Sequence, residues 1–97
     1  MAAYNAHDLD GFLACFAEDV VVTAPDGTVQ MDGKEVMRSR YGVMFEGGEV
    51  QAEILERLRC GRWVIDHEHV TRGEQALDVL VAYEVADGRI IRMITFS

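Results

Sequence analysis

Two imidazoles, a phenol, a carboxylate and a hydroxyl are the side chains here whose types and spacing suit chemistry. His67 and His69 lie two apart in Trp63-Val-Ile-Asp-His-Glu-His-Val70. On a strand, residues two apart point to the same side, so Trp63, Ile65, His67 and His69 share one face. Imidazoles change charge near neutral pH, which suits general acid–base catalysis. Tyr83, from the next strand, completes the expected catalytic set as a hydrogen-bond donor. Glu56 would orient an imidazole and Thr95 adds a hydroxyl. His67, His69 and Glu56 also form a possible metal set, but a structural zinc site needs four ligands and the cysteines are not placed to help. No metal and no cofactor is therefore expected. The plain structural alternative is that these polar groups satisfy one another at a sheet end. Asp66 and Glu68 fall on the opposite side, as cross-strand partners for Arg57.

The elements that must position these groups can be read from the pattern. Asp8 is an N-cap, and Leu9, Phe12, Leu13 and Phe16 follow at helical spacing, with Glu18-Asp19 ending the helix. Residues 1–5 read as the tail of an earlier helix. Val20–Thr23 is a β-branched strand, Pro25-Asp-Gly27 a turn, and Thr28–Met31 a short return strand. A second helix spans Lys34 to Phe45, with Val36, Met37, Tyr41, Met44 and Phe45 on its apolar side. From Val50 onward the pattern is strand. A turn at Cys60-Gly61 pairs Leu58 with Trp63, Glu56 with Ile65 and Ile54 with His67. A three-residue turn at Arg72-Gly-Glu74 pairs Val79 with His67 and Val81 with Ile65. A two-residue turn there would flip the set and mix polar with apolar residues, so the longer turn is preferred. Ala86-Asp-Gly88 is the last turn, and by the same parity Ile91, Met93 and Thr95 join the apolar face.

This is a segregated α+β arrangement: short helices, then an antiparallel meander with one face packed on them. The packed face would line a small pocket. Met37, Tyr41, Glu56, Trp63, Ile65, Val81, Met93 and Thr95 are its candidate ligand-binding residues. The other face, carrying Leu55, Arg57, Val64, Asp66, Leu80 and Ile94, is too apolar for full solvation and is expected to form a homodimer interface.

Ninety-seven residues make one domain with one modest core. The formal charge of −8 argues against a nucleic-acid or anionic-membrane partner, since both need a basic face. No apolar run approaches the roughly 20 residues of a membrane span. The first residues lack the basic and apolar regions of an export signal. Two cysteines make no disulfide framework, so Cys15 and Cys60 read as reduced thiols in a cytoplasm.

Tyr4-Asn-Ala-His-Asp-Leu-Asp-Gly-Phe-Leu-Ala-Cys-Phe-Ala-Glu-Asp19-Val, the Gly33-Lys-Glu helix start and Val81-Ala-Tyr-Glu-Val-Ala-Asp-Gly-Arg-Ile-Ile91 together resemble the nuclear transport factor 2-like superfamily. The likeness is to its SnoaL-like and ketosteroid-isomerase-like branches and runs over nearly the whole chain. It implies a cone: a curved sheet wrapped on N-terminal helices, the cystatin-like fold, with a hydrophobic cavity inside and frequent dimers. Such relatives include isomerases, cyclases, dehydratases, epoxide hydrolases and binding proteins, so the fold alone decides little. Where ketosteroid isomerases carry a general-base Asp, this chain has Ala24; their second acid falls at Val81. Their oxyanion-binding Tyr would precede Met1. The epoxide-hydrolase triad falls at His69, Thr71 and Thr95. Only three residues precede Tyr4 where relatives have most of a helix, so the first helix reads as truncated. Either the start lies upstream, or the cavity mouth is open, or a partner covers it. Three functions follow: a module binding a small apolar molecule, which is favoured; an isomerase, cyclase or dehydratase using His67 or His69; or an interaction module.

Overall fold

The computed structural model describes residues 2–96. Three helices, α1 (Ala2–Asn5), α2 (Leu9–Leu13) and α3 (Lys34–Gly47), pack on one sheet. Its strands are β1 (Phe16–Thr23), β2 (Val29–Asp32), β3 (Val50–Cys60), β4 (Trp63–Arg72), β5 (Gln75–Ala86) and β6 (Arg89–Phe96). Their spatial order is β2-β1-β6-β5-β4-β3. The α+β class holds. The sheet is larger than the expected meander because β1 pairs in parallel with β6, joining the β1–β2 hairpin to the rest. Among the described residues, no helix is long and apolar enough to cross a membrane.

Local chemistry explains most boundaries. Asp8 caps α2 by accepting the Gly11 N–H at 3.1 Å. The helix stops at Leu13, sooner than the apolar spacing suggests, because the β-branched run that follows is captured by the sheet. The Ile90 N–H donates to the Cys15 carbonyl at 2.8 Å, and Phe16 already pairs with Ile90. Phe16 is thus a buried strand residue rather than the last position of a helical stripe. Gly48, in the left-handed region with φ 69°, ends α3. The helix preceding Asp8 is present as Ala2–Asn5; Met1 lies outside the described residues.

The core has two parts. Leu13, Phe16, Val20, Val22, Met37, Val81 and Met93 form one, and Tyr4, Phe45, Val50 and Ala52 the other. Phe12 and Tyr41 bridge them, with ring centroids 4.8 Å apart.

The hairpin registers decide which side chains face this core, and here three expectations change. The first hairpin turns at Gly61-Arg62, pairing Cys60 with Trp63 and Leu58 with Ile65. That is a shift of two and leaves the faces unchanged. A bulge between Ile54 and Glu56 then re-aims β3, so Ile54 pairs with Glu68 instead of His67. The second hairpin is the decisive one. Its turn is the two-residue Gly73-Glu74, which sets Arg72 opposite Gln75, Asp66 opposite Val81 and His67 opposite Leu80. A slip of one residue turns every side chain of a strand to the other face. The inner face of β4 is therefore Val64, Asp66, Glu68 and Val70. Trp63, Ile65, His67 and His69 point outward. The last hairpin is also tighter than expected, with Ala86 opposite Arg89. A bulge between Glu84 and Val85 restores parity, so Met93 and Thr95 keep the inner face, now opposite Tyr83 and Val81.

Candidate functional site

The inner face of a central strand carries two carboxylates, and each has a specific partner. Asp66 is only 1% exposed. Arg57, directly opposite on β3, grips it with two bonds: Nε donates to Oδ1 at 2.7 Å and Nη2 to Oδ2 at 2.8 Å. This paired fork is the strongest form of carboxylate recognition. The bulge at Leu55 is what lets Arg57 face inward together with Ile54. Two residues along, Glu68 is 4% exposed and accepts a hydrogen bond from the Tyr83 hydroxyl at 3.1 Å. No side-chain polar atom buried among the described residues lacks a partner.

These groups do not share one electrostatic state. Burial, reinforced by the nearby Asp66 charge, pushes the Glu68 carboxyl above the usual carboxylate range, against the opposing pull of the Tyr83 hydrogen bond. Burial likewise drives the Tyr83 phenol far above its ordinary value, and Glu68 adds to it. Tyr41 is pushed up to about 12 by burial, and Tyr4 is raised by the same cause. The site thus holds neutral phenols and a carboxyl biased toward its neutral form, next to an arginine-paired aspartate.

Two adjoining cavities open on these groups. One, of about 190 Å³, is walled by Tyr4, Phe12, Phe16, Ile54 and Ile90, with Arg57, Asp66 and Tyr83 as its polar edge and Cys15 at its side. The other, of about 130 Å³, lies over Glu68 and is walled by Tyr41, Val79, Val81, Met93 and Thr95. Both share Tyr4, Phe12 and Tyr83. A dry cavity of about 150 Å³ holds a benzene-sized molecule, so each lobe suits roughly one ring.

Of the expected site residues, Tyr83, Tyr41, Val81, Met93 and Thr95 line this interior. Met37 is fully buried in the core beside it. Thr95 uses its hydroxyl on Gln30 at 3.3 Å. His67 and His69 are corrected: both stand on the outer face, where Nε2 of His67 and Nδ1 of His69 bind the two oxygens of Asp78 at 3.0 and 2.6 Å. They have no path to the cavity. Glu56, Trp63 and Ile65 are corrected with them, because they belong to the same outer rows. Asp66, Glu68 and Arg57, expected on the outer side, are the inner polar groups. The legible signal for them was the Arg57–Asp66 cross-strand pairing, which was right as a pair and assigned to the wrong face.

The fold and this geometry can be set beside known proteins. The SnoaL-like domain matches residues 1–93. The chain belongs to the SnoaL-like domain family. A cystatin-fold protein of undefined role from Novosphingobium aromaticivorans is 30% identical, with a TM-score of 0.91 over 99% of this chain and 90% of that one. The chain is also similar to a proposed ketosteroid isomerase from Kribbella flavida (24% identity, TM-score 0.83, 98% of this chain and 69% of that one). A proposed polyketide cyclase from Sinorhizobium meliloti is 23% identical, with a TM-score of 0.80 over 97% and 86% of the two chains. At those identities the last two likenesses show the fold alone. No curated protein matches the chain.

Proposed function

We propose that this SnoaL-like domain binds a small, uncharged, largely apolar molecule inside the cone, with Glu68, Tyr83 and the Arg57–Asp66 pair orienting its polar group. The observation that carries this is the pairing of two buried carboxylates with their own partners at the edge of two aromatic-walled cavities. Pockets of this kind, mostly apolar with a few convergent polar groups, are the usual form of a ligand site. The ligand is uncharged because Arg57 is already neutralised by Asp66, and an added anion would face both carboxylates. A ring bearing a carbonyl or hydroxyl matches the lobe size. The two exposed thiols, Cys15 and Cys60, fit a reducing cytoplasm.

A proton-transfer enzyme is the second reading, and one observation favours it. Two carboxyl groups on one strand face meet different surroundings, Asp66 bonded to a cation and Glu68 buried beside a phenol, and unlike environments for a carboxyl pair are what separates a base from an acid. The histidines have no part in it.

The binding reading is tested with methyl-labelled methionine and a panel of cyclic enones, lactones and phenols. Shifts confined to Met93 and Met37, weakened several-fold in Glu68→Gln, are expected. Unchanged methyl signals at millimolar ligand would refute it. Exchange of a bound ketone's α-protons for deuterium, lost in Glu68→Gln, would select the enzyme.

A further inference from the structure

The outer sheet face carries a cluster of ligand-type side chains that the cavity does not use. Glu53, His69 and Asp78 stand in one row across β3, β4 and β5, and Glu56 and His67 stand in the next. Neither row holds a lysine or an arginine. His67 Nε2 and His69 Nδ1 converge on separate oxygens of Asp78, at 3.0 and 2.6 Å. Asp78, rather than the Glu56 that the sequence suggests, is thus the carboxylate that meets both imidazoles. All three side chains are accessible, by 37, 40 and 53%. Exposed ion pairs contribute little to folding, so stability alone does not account for two imidazoles gathered on one surface carboxylate.

An ionised carboxylate only accepts, so each imidazole nitrogen facing Asp78 carries the proton it donates. In this proton-loaded form no three described His, Cys, Asp or Glu side chains enclose a cation position. Moving each proton to the ring's other nitrogen frees the lone pair that faces Asp78. A tetrahedral zinc ion with bonds of about 2.0–2.1 Å sets its donors about 3.3 Å apart. The two contacts need to open by only about 0.3 and 0.7 Å to reach that spacing. Asp78 has room for this movement: β6 last meets β5 at Leu80, so no described strand lies beside Asp78 on its far side.

We infer that His67, His69 and Asp78 form a binding site for a zinc ion on the outer face, with the fourth position left to water. Imidazole and carboxylate together are a donor set for zinc, and three protein ligands with one open position are its accessible form. Glu53 and Glu56, opposite the two imidazoles on β3, add negative charge that favours a divalent cation. A hollow lined by His67, Asp78, Val79, Leu80 and Phe96 adjoins the cluster and leaves room for the water. Bound there, the ion ties β5 to β4 along the stretch that β6 no longer supports.

The full chain, first treated with a chelator, is titrated with zinc chloride at micromolar concentration while the imidazole nitrogen signals are followed. One equivalent should move His67 and His69 together and leave His7, which bonds the Val50 carbonyl on another part of the sheet, unchanged. Calorimetry should give one ion per chain, with affinity lowered roughly tenfold or more in each of His67→Gln, His69→Gln and Asp78→Asn. Saturating zinc should raise Tm for the native chain and not for the His67→Gln, His69→Gln double variant. No binding at micromolar zinc, a first equivalent that moves His7 instead, or equal affinity in the native chain and the double variant would each overturn the inference.

Discussion

Replacing Arg57 by alanine removes the cation that grips the buried Asp66 carboxylate, and the consequence can be worked from the geometry. Asp66 is 1% exposed and both of its oxygens are bonded to Arg57 at 2.7–2.8 Å. Breaking a fully buried ion pair by deleting one partner costs about 3–5 kcal/mol. Here the arginine side chain is 40% exposed. Water can therefore reach the vacated space and rehydrate part of the carboxylate, so the loss falls to about 2–3 kcal/mol. For a domain of this size that lowers Tm by roughly 10–20 °C. Urea unfolding at neutral pH gives the free energy and a thermal scan the shift. One further variant separates charge from packing. Arg57→Met with Asp66→Leu removes both charges and should lie within about 1 kcal/mol of the native chain, because a hydrophobic pair of similar volume replaces a buried ion pair at little cost. A loss below about 1 kcal/mol in Arg57→Ala would refute the reasoning, since it would place Asp66 in contact with solvent.

Other consequences follow from the same geometry. The Glu68 carboxyl is raised in the folded state, so its contribution is fully present below the ordinary carboxylate value and is lost as pH rises through the raised one. Glu68→Gln should flatten the decline in stability as pH rises above the ordinary carboxylate value, measured by urea unfolding at a series of pH values; an unchanged slope would count against a buried carboxyl. His67→Ala and His69→Ala should leave ligand-induced shifts of Met93 intact, because both imidazoles lie across the sheet from the cavity; loss of those shifts would reverse the assignment of faces. Gly73 adopts φ +60° in the turn that sets the β4–β5 register, and a Cβ there would lie 3.1 Å from Glu49 Oε2. Gly73→Val should cost roughly 1–2 kcal/mol in chemical unfolding, whereas a neutral result would show that the turn tolerates another conformation.

Much of the architecture is written in local signals. The Asp8 cap, the second helix from Lys34, the hairpin around Pro25-Asp-Gly27 and the long strands after Val50 all follow from capping, spacing and turn chemistry. The inward placing of Met93 and Thr95 also follows, because a tighter turn and a bulge cancel in parity. The faces of β4 do not follow from such signals. Periodicity defines two sets of alternating residues but not which set points inward, and Trp63, Ile65 and two histidines look more apolar than Asp66 and Glu68. The choice hangs on whether Gly73-Glu74 or Arg72-Gly-Glu74 makes the turn, a difference of one residue. The length of α2 is missed for a related reason: Phe16 fits a helical stripe, yet the non-local pull of β6 on Cys15 and Phe16 takes the chain into the sheet.

That failure on β4 has a physical meaning. An alternation rule assumes that the more apolar set is buried, and here the chain buries the more polar one. Burying two carboxylates opposes folding, since each must be stripped of water and then satisfied. The structure offsets this with a bulge that re-aims Arg57, a tyrosine from the next strand and a turn held by a left-handed glycine. A packed row of valines on the inner face would stabilise the cone more simply. Departures of this kind, where a local rule is broken and several other features compensate, are expected where function rather than stability sets the residue. The same inversion accounts for the outside. Turning Asp66 and Glu68 inward necessarily turns Ile65 outward beside Leu80 and Phe96. The polar interior and the apolar exterior of this sheet are therefore two results of one register.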